Sequence, residues 1–158
     1  MSEETTITER FIEPEEQLDD HADYTATESR PASPHLISSW LADVKKQLKA
    51  IISLPNGWDS YGAPSPNGSF LKGAWSLIDC LSEVPGVPKP RVNPTRNGGV
   101  QFEWEAGDRY FELEVVAERA ATYLYCDDAA GVEKTGNVFE QESLESVLGY
   151  IRRVGTLQ

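Results

Sequence analysis

The stretch GGVQFEWEAGDRYFELEVV, residues 98–116, limits the fold more than any other part of the chain. Val100, Phe102 and Trp104 alternate with Gln101, Glu103 and Glu105, and Phe111, Leu113 and Val115 alternate with Tyr110, Glu112 and Glu114. This two-residue period is that of a strand with one dry face and one wet face. A two-residue turn at Gly107-Asp108, glycine first as a type II′ turn requires, folds the two runs into a hairpin. It sets Ala106 opposite Arg109, Trp104 opposite Phe111, Phe102 opposite Leu113 and Val100 opposite Val115. A slip of one residue would place each apolar side chain opposite a polar one, so a single register is specified.

Helical periodicity flanks the hairpin. In SPHLISSWLADVKKQLKAIISL, Ile37, Trp40, Leu41, Val44, Leu48, Ile51 and Ile52 recur at three- and four-residue steps, which predicts an amphipathic helix over 34–53. Ser33 and Pro34 read as its start, and Pro55-Asn56-Gly57 as its end. Ser65-Pro66 signals a second helix with Phe70, Ala74, Leu77, Ile78, Leu81 and Val84 on its apolar stripe. Gly68 and Gly73 each weaken that helix by about 1 kcal/mol relative to alanine, so packing must hold it. A short strand at Arg91–Asn93 is expected ahead of the hairpin, and ATYLYCD (121–127) and GVEKTGNVF (131–139) read as further strands. Leu144, Val147, Leu148, Ile151 and Val154 then share one face of a C-terminal helix. The expected fold class is α+β: two N-terminal helices, an antiparallel meander of three to four strands, and a C-terminal helix packed on one sheet face.

Charge divides the chain in two. Residues 1–33 hold ten acids against Arg10 and Arg30, which accounts for −8 of the formal charge of −12. Such a segment buries too little apolar surface to offset its chain entropy and is expected to be disordered alone. The predicted organisation is therefore an acidic tail, 1–33, and one α+β domain, 34–156. Ile7, Phe11, Ile12 and Leu18 lie among the tail's acids, a composition that can fold onto a basic, partly apolar groove. The acidic balance argues against nucleic acid and anionic membrane as partners. No apolar run approaches the roughly 18 residues of a membrane span, and the N-terminus has no secretion-signal pattern; a cytoplasmic location is expected. Cys80 and Cys126 lack metal-ligand spacing and are expected as buried thiols.

Two groups of residues are candidate sites. In LPNGWDSYGAPSP (54–66), Trp58, Asp59 and Tyr61 lie among glycines and prolines. The favoured reading is a staple, with Asp59 accepting backbone N–H bonds and the two aromatics pinning the connection to the core. The alternative is a small recognition surface on a rigid loop, with Trp58 and Tyr61 as interface anchors. The second group is the wet face of the hairpin. There the register sets Glu103 against Glu112, Gln101 against Glu114 and Glu105 against Tyr110, edged by Tyr123 or Tyr125. Like charges in direct pairs destabilise a sheet, and Arg109, Arg119 or Arg91 could relieve them. The face is either solvated or receives a basic surface of a protein partner. Asn97-Gly98-Gly99 reads as a tight turn, since no Gly-Lys-Ser/Thr follows to make a phosphate loop.

NGWDSYGAPSP, the hairpin and YLYCDD together resemble a set of small bacterial proteins that share an N-G-W-D-x-Y-G-A connection and a G-G-V-Q-x-E-W hairpin. The likeness covers about residues 55–127 and implies a bacterial or phage-related cytoplasmic protein, with no catalytic residue to carry over. The functional expectation is a non-enzymatic protein-binding module, antitoxin-, immunity- or chaperone-like, for a partner with a basic surface. Trp58, Asp59, Tyr61, Glu103, Glu105, Tyr110, Glu112 and Glu114 are its candidate binding residues, with no catalytic residue, metal or cofactor expected. A homodimer through a sheet edge is a further possibility. The alternative is a carboxylate-based or metal-dependent hydrolase using Asp59 with Glu103 and Glu112.

Overall fold

The computed structural model describes residues 38–138 and 144–155. The predicted acidic tail, residues 1–33, lies outside them. The order of elements is α1 (Leu41–Ile52), α2 (Gly68–Ser82), β1 (Arg91–Pro94), β2 (Val100–Ala106), β3 (Arg109–Ala117), β4 (Ala120–Asp127), β5 (Val132–Asn137) and α3 (Leu144–Gly155). The strands form one antiparallel sheet in sequence order, β1-β2-β3-β4-β5, five strands where three to four are expected from sequence. The fold is α+β, with the helices packed on one face of this meander.

The β2–β3 hairpin has the register dictated by its alternation: Val100 faces Val115, Phe102 faces Leu113, Trp104 faces Phe111 and Ala106 faces Arg109. Gly107 takes φ 57°, with Asp108 outside the positive-φ region, in keeping with a turn that has its glycine first. The apolar halves of these pairs are buried together with Val92, Ala121, Tyr123 and Tyr125 on the helix side of the sheet. Val44, Leu48 and Ile51 of α1, Leu71, Ala74, Leu77, Ile78 and Leu81 of α2, Val147, Leu148, Ile151 and Val154 of α3, and Val87 and Val138 join them in the core. Tyr150 of α3 lies over the sheet's aromatic ladder, its ring centroid 5.9 Å from Phe111, 5.6 Å from Tyr123 and 4.8 Å from Tyr125.

Both helix starts differ from their sequence signals, and hydrogen bonds explain why. α1 begins at Leu41 because the residues before it are committed elsewhere. The Ser38 N–H and hydroxyl both donate to the Ser82 carbonyl, at 3.1 and 2.9 Å, and the Trp40 indole N–H donates to the Val87 carbonyl at 3.0 Å. These bonds tie the start of α1 to the end of α2, so the two helices run antiparallel. Residues 34–37 of the expected helix are outside the described residues. α2 is capped by Asn67, whose side chain accepts from the Ser69 N–H at 2.9 Å, rather than by Ser65. Ile52, expected on the buried stripe, is 52% exposed. Cys80, expected to be buried, is exposed, and Cys126 is half-buried; both thiols are free.

The two weak points of α2 resolve differently. A Cβ on Gly73 would lie 2.7 Å from the Glu118 carbonyl oxygen and 2.9 Å from that of Ala117, so α2 crosses the β3–β4 turn at a distance only glycine allows. Gly68 meets nothing within 4 Å and has ordinary helical room. Gly73→Ala is therefore expected to destabilise the fold by about 1–3 kcal/mol, as overpacking against backbone does. Gly68→Ala should stabilise it by about 0.4–1 kcal/mol through the unfolded chain. Urea denaturation midpoints check both, and equal effects of the two changes would refute the close crossing.

Candidate functional site

The face of the sheet turned away from the helices is built by the other half of the same alternation. Its cross-strand rows are Arg91–Glu103–Glu112–Leu124–Thr135, Asn93–Gln101–Glu114–Thr122–Asn137 and Glu105–Tyr110–Cys126–Glu133. Glu103, Glu105, Glu112, Glu114 and Glu133 thus share one surface with Arg91. Glu103 and Glu112 are a direct like-charge pair. Two arrangements relieve them. Arg91 lies 2.6 Å from Glu105 and 3.5 Å from Glu103, while Glu112 accepts from both the Gln101 amide and the Tyr110 hydroxyl through one oxygen. Burial, and then the bond to Glu112, push the Tyr110 phenol far above its ordinary value, so at neutral pH it stays a donor.

Of the other two cations considered for this role, Arg119 lies exposed in the β3–β4 turn and Arg109 is used on the helix side of the sheet. Its Nε donates to Asp127 at 3.0 Å and an Nη to the Arg153 carbonyl at 3.0 Å. Tyr123 and Tyr125, expected at the border of the acidic strip, are buried on the helix side instead. Sequence reasoning missed Glu133, Leu124, Thr122 and Thr135, which join Glu112 around a shallow concavity of about 530 Å³. A smaller cleft of about 240 Å³ opens where β1 and β2 meet the end of α3, between Glu103, Glu105, Arg91, Lys89 and Trp104.

The loop after α1 is organised by one carboxylate. Asp59 Oδ1 accepts from the Tyr61 N–H at 2.9 Å and the Ala63 N–H at 3.0 Å. Its Oδ2 lies 3.2 Å from Arg96 Nε, an ion-pair distance, but with the N–H off line so that no hydrogen bond forms. The Gly57 N–H donates to the Ala63 carbonyl at 2.7 Å, closing the loop's base. Gly57 and Gly62 take φ 77° and 90°, and Ser60 takes φ 64°, a left-handed conformation costly for a residue with a Cβ. The half-buried Trp58 donates its indole N–H to the Pro64 carbonyl at 3.1 Å, so it holds the loop to itself. Tyr61 is 83% exposed, with the Arg96 guanidinium 5.1 Å from its ring centroid. The staple reading therefore fails for Tyr61, which pins nothing to the core; Ala63 and Pro66 are the buried members of the loop.

The candidate residues fall into two groups. Glu103, Glu105, Tyr110, Glu112 and Glu114 share the sheet face, whereas Trp58, Asp59 and Tyr61 share the loop. Asp59 is engaged by Ala63, Tyr61 and Arg96, and Glu103 and Glu112 by Arg91, Gln101 and Tyr110. Among the described residues no group of three or more His, Cys, Asp or Glu is placed to hold a metal ion, and no helix is long and apolar enough to cross a membrane. Neither family models, nor curated proteins, nor solved structures match the chain.

Backbone N–H bonds from Ala63 and Tyr61, followed by the charge of Arg96, hold the Asp59 carboxyl below its ordinary value of 3.8. A pKa lower in the folded than in the unfolded chain contributes stability that is fully present above 3.8 and is lost as pH falls through the depressed folded value. Asp59→Asn is accordingly expected to flatten the fall in denaturation midpoint below about pH 4, leaving the midpoint at pH 7 lower than in the wild type. Parallel pH profiles for the two proteins would show that Asp59 does not organise the loop.

Proposed function

We propose that this chain is a small non-enzymatic module that binds a protein partner through the acidic face of its sheet, in the manner of an antitoxin, an immunity protein or a chaperone. The observation that carries the reading is the composition of that face. Glu103, Glu105, Glu112, Glu114 and Glu133 are set with Arg91 on the sheet face opposite the one that α1, α2 and α3 cover. A surface of one sign attracts a partner of the other, speeding encounter and fixing orientation more than raising affinity. The strands supply a rigid display, and Tyr110 and Gln101 hold Glu112 in one position, so little side-chain entropy is lost on binding.

The cleft beside Glu103 and Glu105 adds a place for a side chain. Trp104, whose indole N–H donates to the Pro88 carbonyl at 2.8 Å, lines it with Pro88. An arginine or lysine of the partner would lay its methylene stem on these groups and direct its charged end at the two carboxylates. The loop carboxylate suits catalysis poorly, since a depressed pKa and two backbone bonds leave it a weak base. A second copy of the chain pairing through the edge strand β5 is the competing partner, although Glu133 and Lys134 on that strand are of the kind that discourages edge pairing.

The test is affinity capture from the native host with wild type and with Glu103→Gln/Glu112→Gln/Glu114→Gln as baits. The amide changes remove charge but retain hydrogen bonding at Glu112, so the fold is preserved. One stoichiometric basic protein is expected with the wild type, weakening with added salt and captured about tenfold less well by the triple variant. Capture that is indifferent to the amide changes would sink the proposal.

A further inference from the structure

The acidic face leaves the other end of the sheet unexplained. There the loop 57–63 and the β1–β2 turn are joined into one body. The Asn67 N–H donates to the Gly98 carbonyl at 2.8 Å, and the turn closes on itself through Thr95 N–H to Gly99 carbonyl at 3.1 Å and Gly98 N–H to Thr95 carbonyl at 3.0 Å. Arg96 projects from this turn onto Asp59 and Tyr61. From these bonds and contacts, we propose that the Tyr61–Arg96 tip is a second docking point, taking a protein segment that presents a carboxylate beside an apolar side chain.

Three observations lead to this partner. First, Tyr61 is 83% exposed, although its backbone is fixed by Asp59 Oδ1 and its neighbour Ser60 is held at φ 64°. A large ring on a rigid support loses little freedom on binding, which is why tyrosine serves so often as an interface anchor. Second, the charges at the tip face in different directions. Asp59 and Arg96 are the charged residues of segments 54–67 and 94–99. The Asp59 side chain is only 9% exposed, whereas that of Arg96 is 69% exposed. The surface thus offers a cation and an aromatic ring, with its one carboxylate tucked beneath. Third, the Arg96 Nη groups have no hydrogen-bond partner among the described residues. That leaves the forked edge of the guanidinium, with its Nε already at Asp59, open to a carboxylate.

Charge also decides between carboxylate and phosphate. A nucleic acid strand could stack a base on Tyr61 and set a phosphate on Arg96, but residues 34–158 carry −4 of the chain's net charge of −12, and a net negative domain disfavours a polyanion. A peptide brings a single carboxylate and an apolar neighbour to the same two groups at far smaller cost. The sign of this site is opposite to that of the sheet face, so it does not rest on the function proposed above.

Random peptides displayed on phage would be selected on the full chain, with Tyr61→Ala as the counter-selecting surface, and the recovered peptides synthesised for calorimetry. Tyr61→Ala removes a ring that is 83% exposed, so its thermal denaturation should match the wild type. Recovered peptides are expected to carry Asp or Glu next to an apolar residue. Their affinity should fall about tenfold or more for Tyr61→Ala and for Arg96→Ala, with Tyr61→Phe losing less because the ring remains. Arg96→Lys keeps the charge beside Asp59 but lacks the fork, and should bind between wild type and Arg96→Ala. An absence of peptides that discriminate wild type from Tyr61→Ala would overturn the proposal. So would a consensus without carboxylates, or tighter binding of a single-stranded oligonucleotide than of any recovered peptide.

Discussion

The pairing of β2 with β3 across Gly107-Asp108 is the constraint on which the rest of the molecule depends. Side chains alternate strictly along both strands, so one register decides two surfaces at once. Putting Phe102, Trp104, Phe111 and Leu113 against the helices obliges Glu103, Glu105, Glu112 and Glu114 onto the other side. The core and the acidic surface are the same choice seen from two directions. Burying each large apolar side chain is worth about 1.5–3 kcal/mol, whereas a like-charge cross-strand pair costs about 1 kcal/mol, and both Glu103 and Glu112 are half-buried with polar partners. The register can therefore carry the Glu103–Glu112 juxtaposition without endangering the fold.

What remains of the repulsion is handled locally. Arg91 reaches across from the edge strand to two of the carboxylates, and Tyr110 and Gln101 supply hydrogen bonds to a third. Neither device neutralises the face. A hydrogen bond from a neutral phenol or amide fixes a carboxylate without removing its charge. The outcome is a surface held in one geometry and still negative, which is the condition for recognising a cation at low entropic cost.

The hairpin register, the fold class and the β1 strand were legible because they rest on local alternation and local turn chemistry. The parts that were not legible depend on groups distant in sequence. Ser33-Pro34 is a sound helix start locally, but the donors of Ser38 and Trp40 are bonded to Ser82 and Val87, more than forty residues on. Ser65 gives way to Asn67 as the cap of α2, where the next turn's Gly98 carbonyl receives the Asn67 N–H. In ATYLYCD both faces carry apolar side chains, Tyr123 and Tyr125 on one and Leu124 and Cys126 on the other, so alternation could not say which set is buried. β5 presents Glu133, Lys134 and Thr135 to solvent and has little pattern of its own; its pairing with β4 defines it. The need for packing to support Gly73 was visible, while its object, the carbonyls of Ala117 and Glu118, was not.

The loop shows how the same residue types can yield opposite placements. Trp58 and Tyr61 are three apart in sequence, and both looked suited to holding the connection down. Asp59 separates them. By taking the N–H groups of Tyr61 and Ala63 onto one oxygen, it bends the chain back within a few residues and sends Ser60 through the left-handed region. Trp58, before the bend, folds inward to Pro64; Tyr61, after it, is carried outward beside Arg96. A carboxylate devoted to the backbone thus sets which aromatic belongs to the structure and which is offered to solvent. The orientation of Tyr61 is fixed by the most heavily bonded group in the loop, and it was therefore unreadable from the aromatic residues alone.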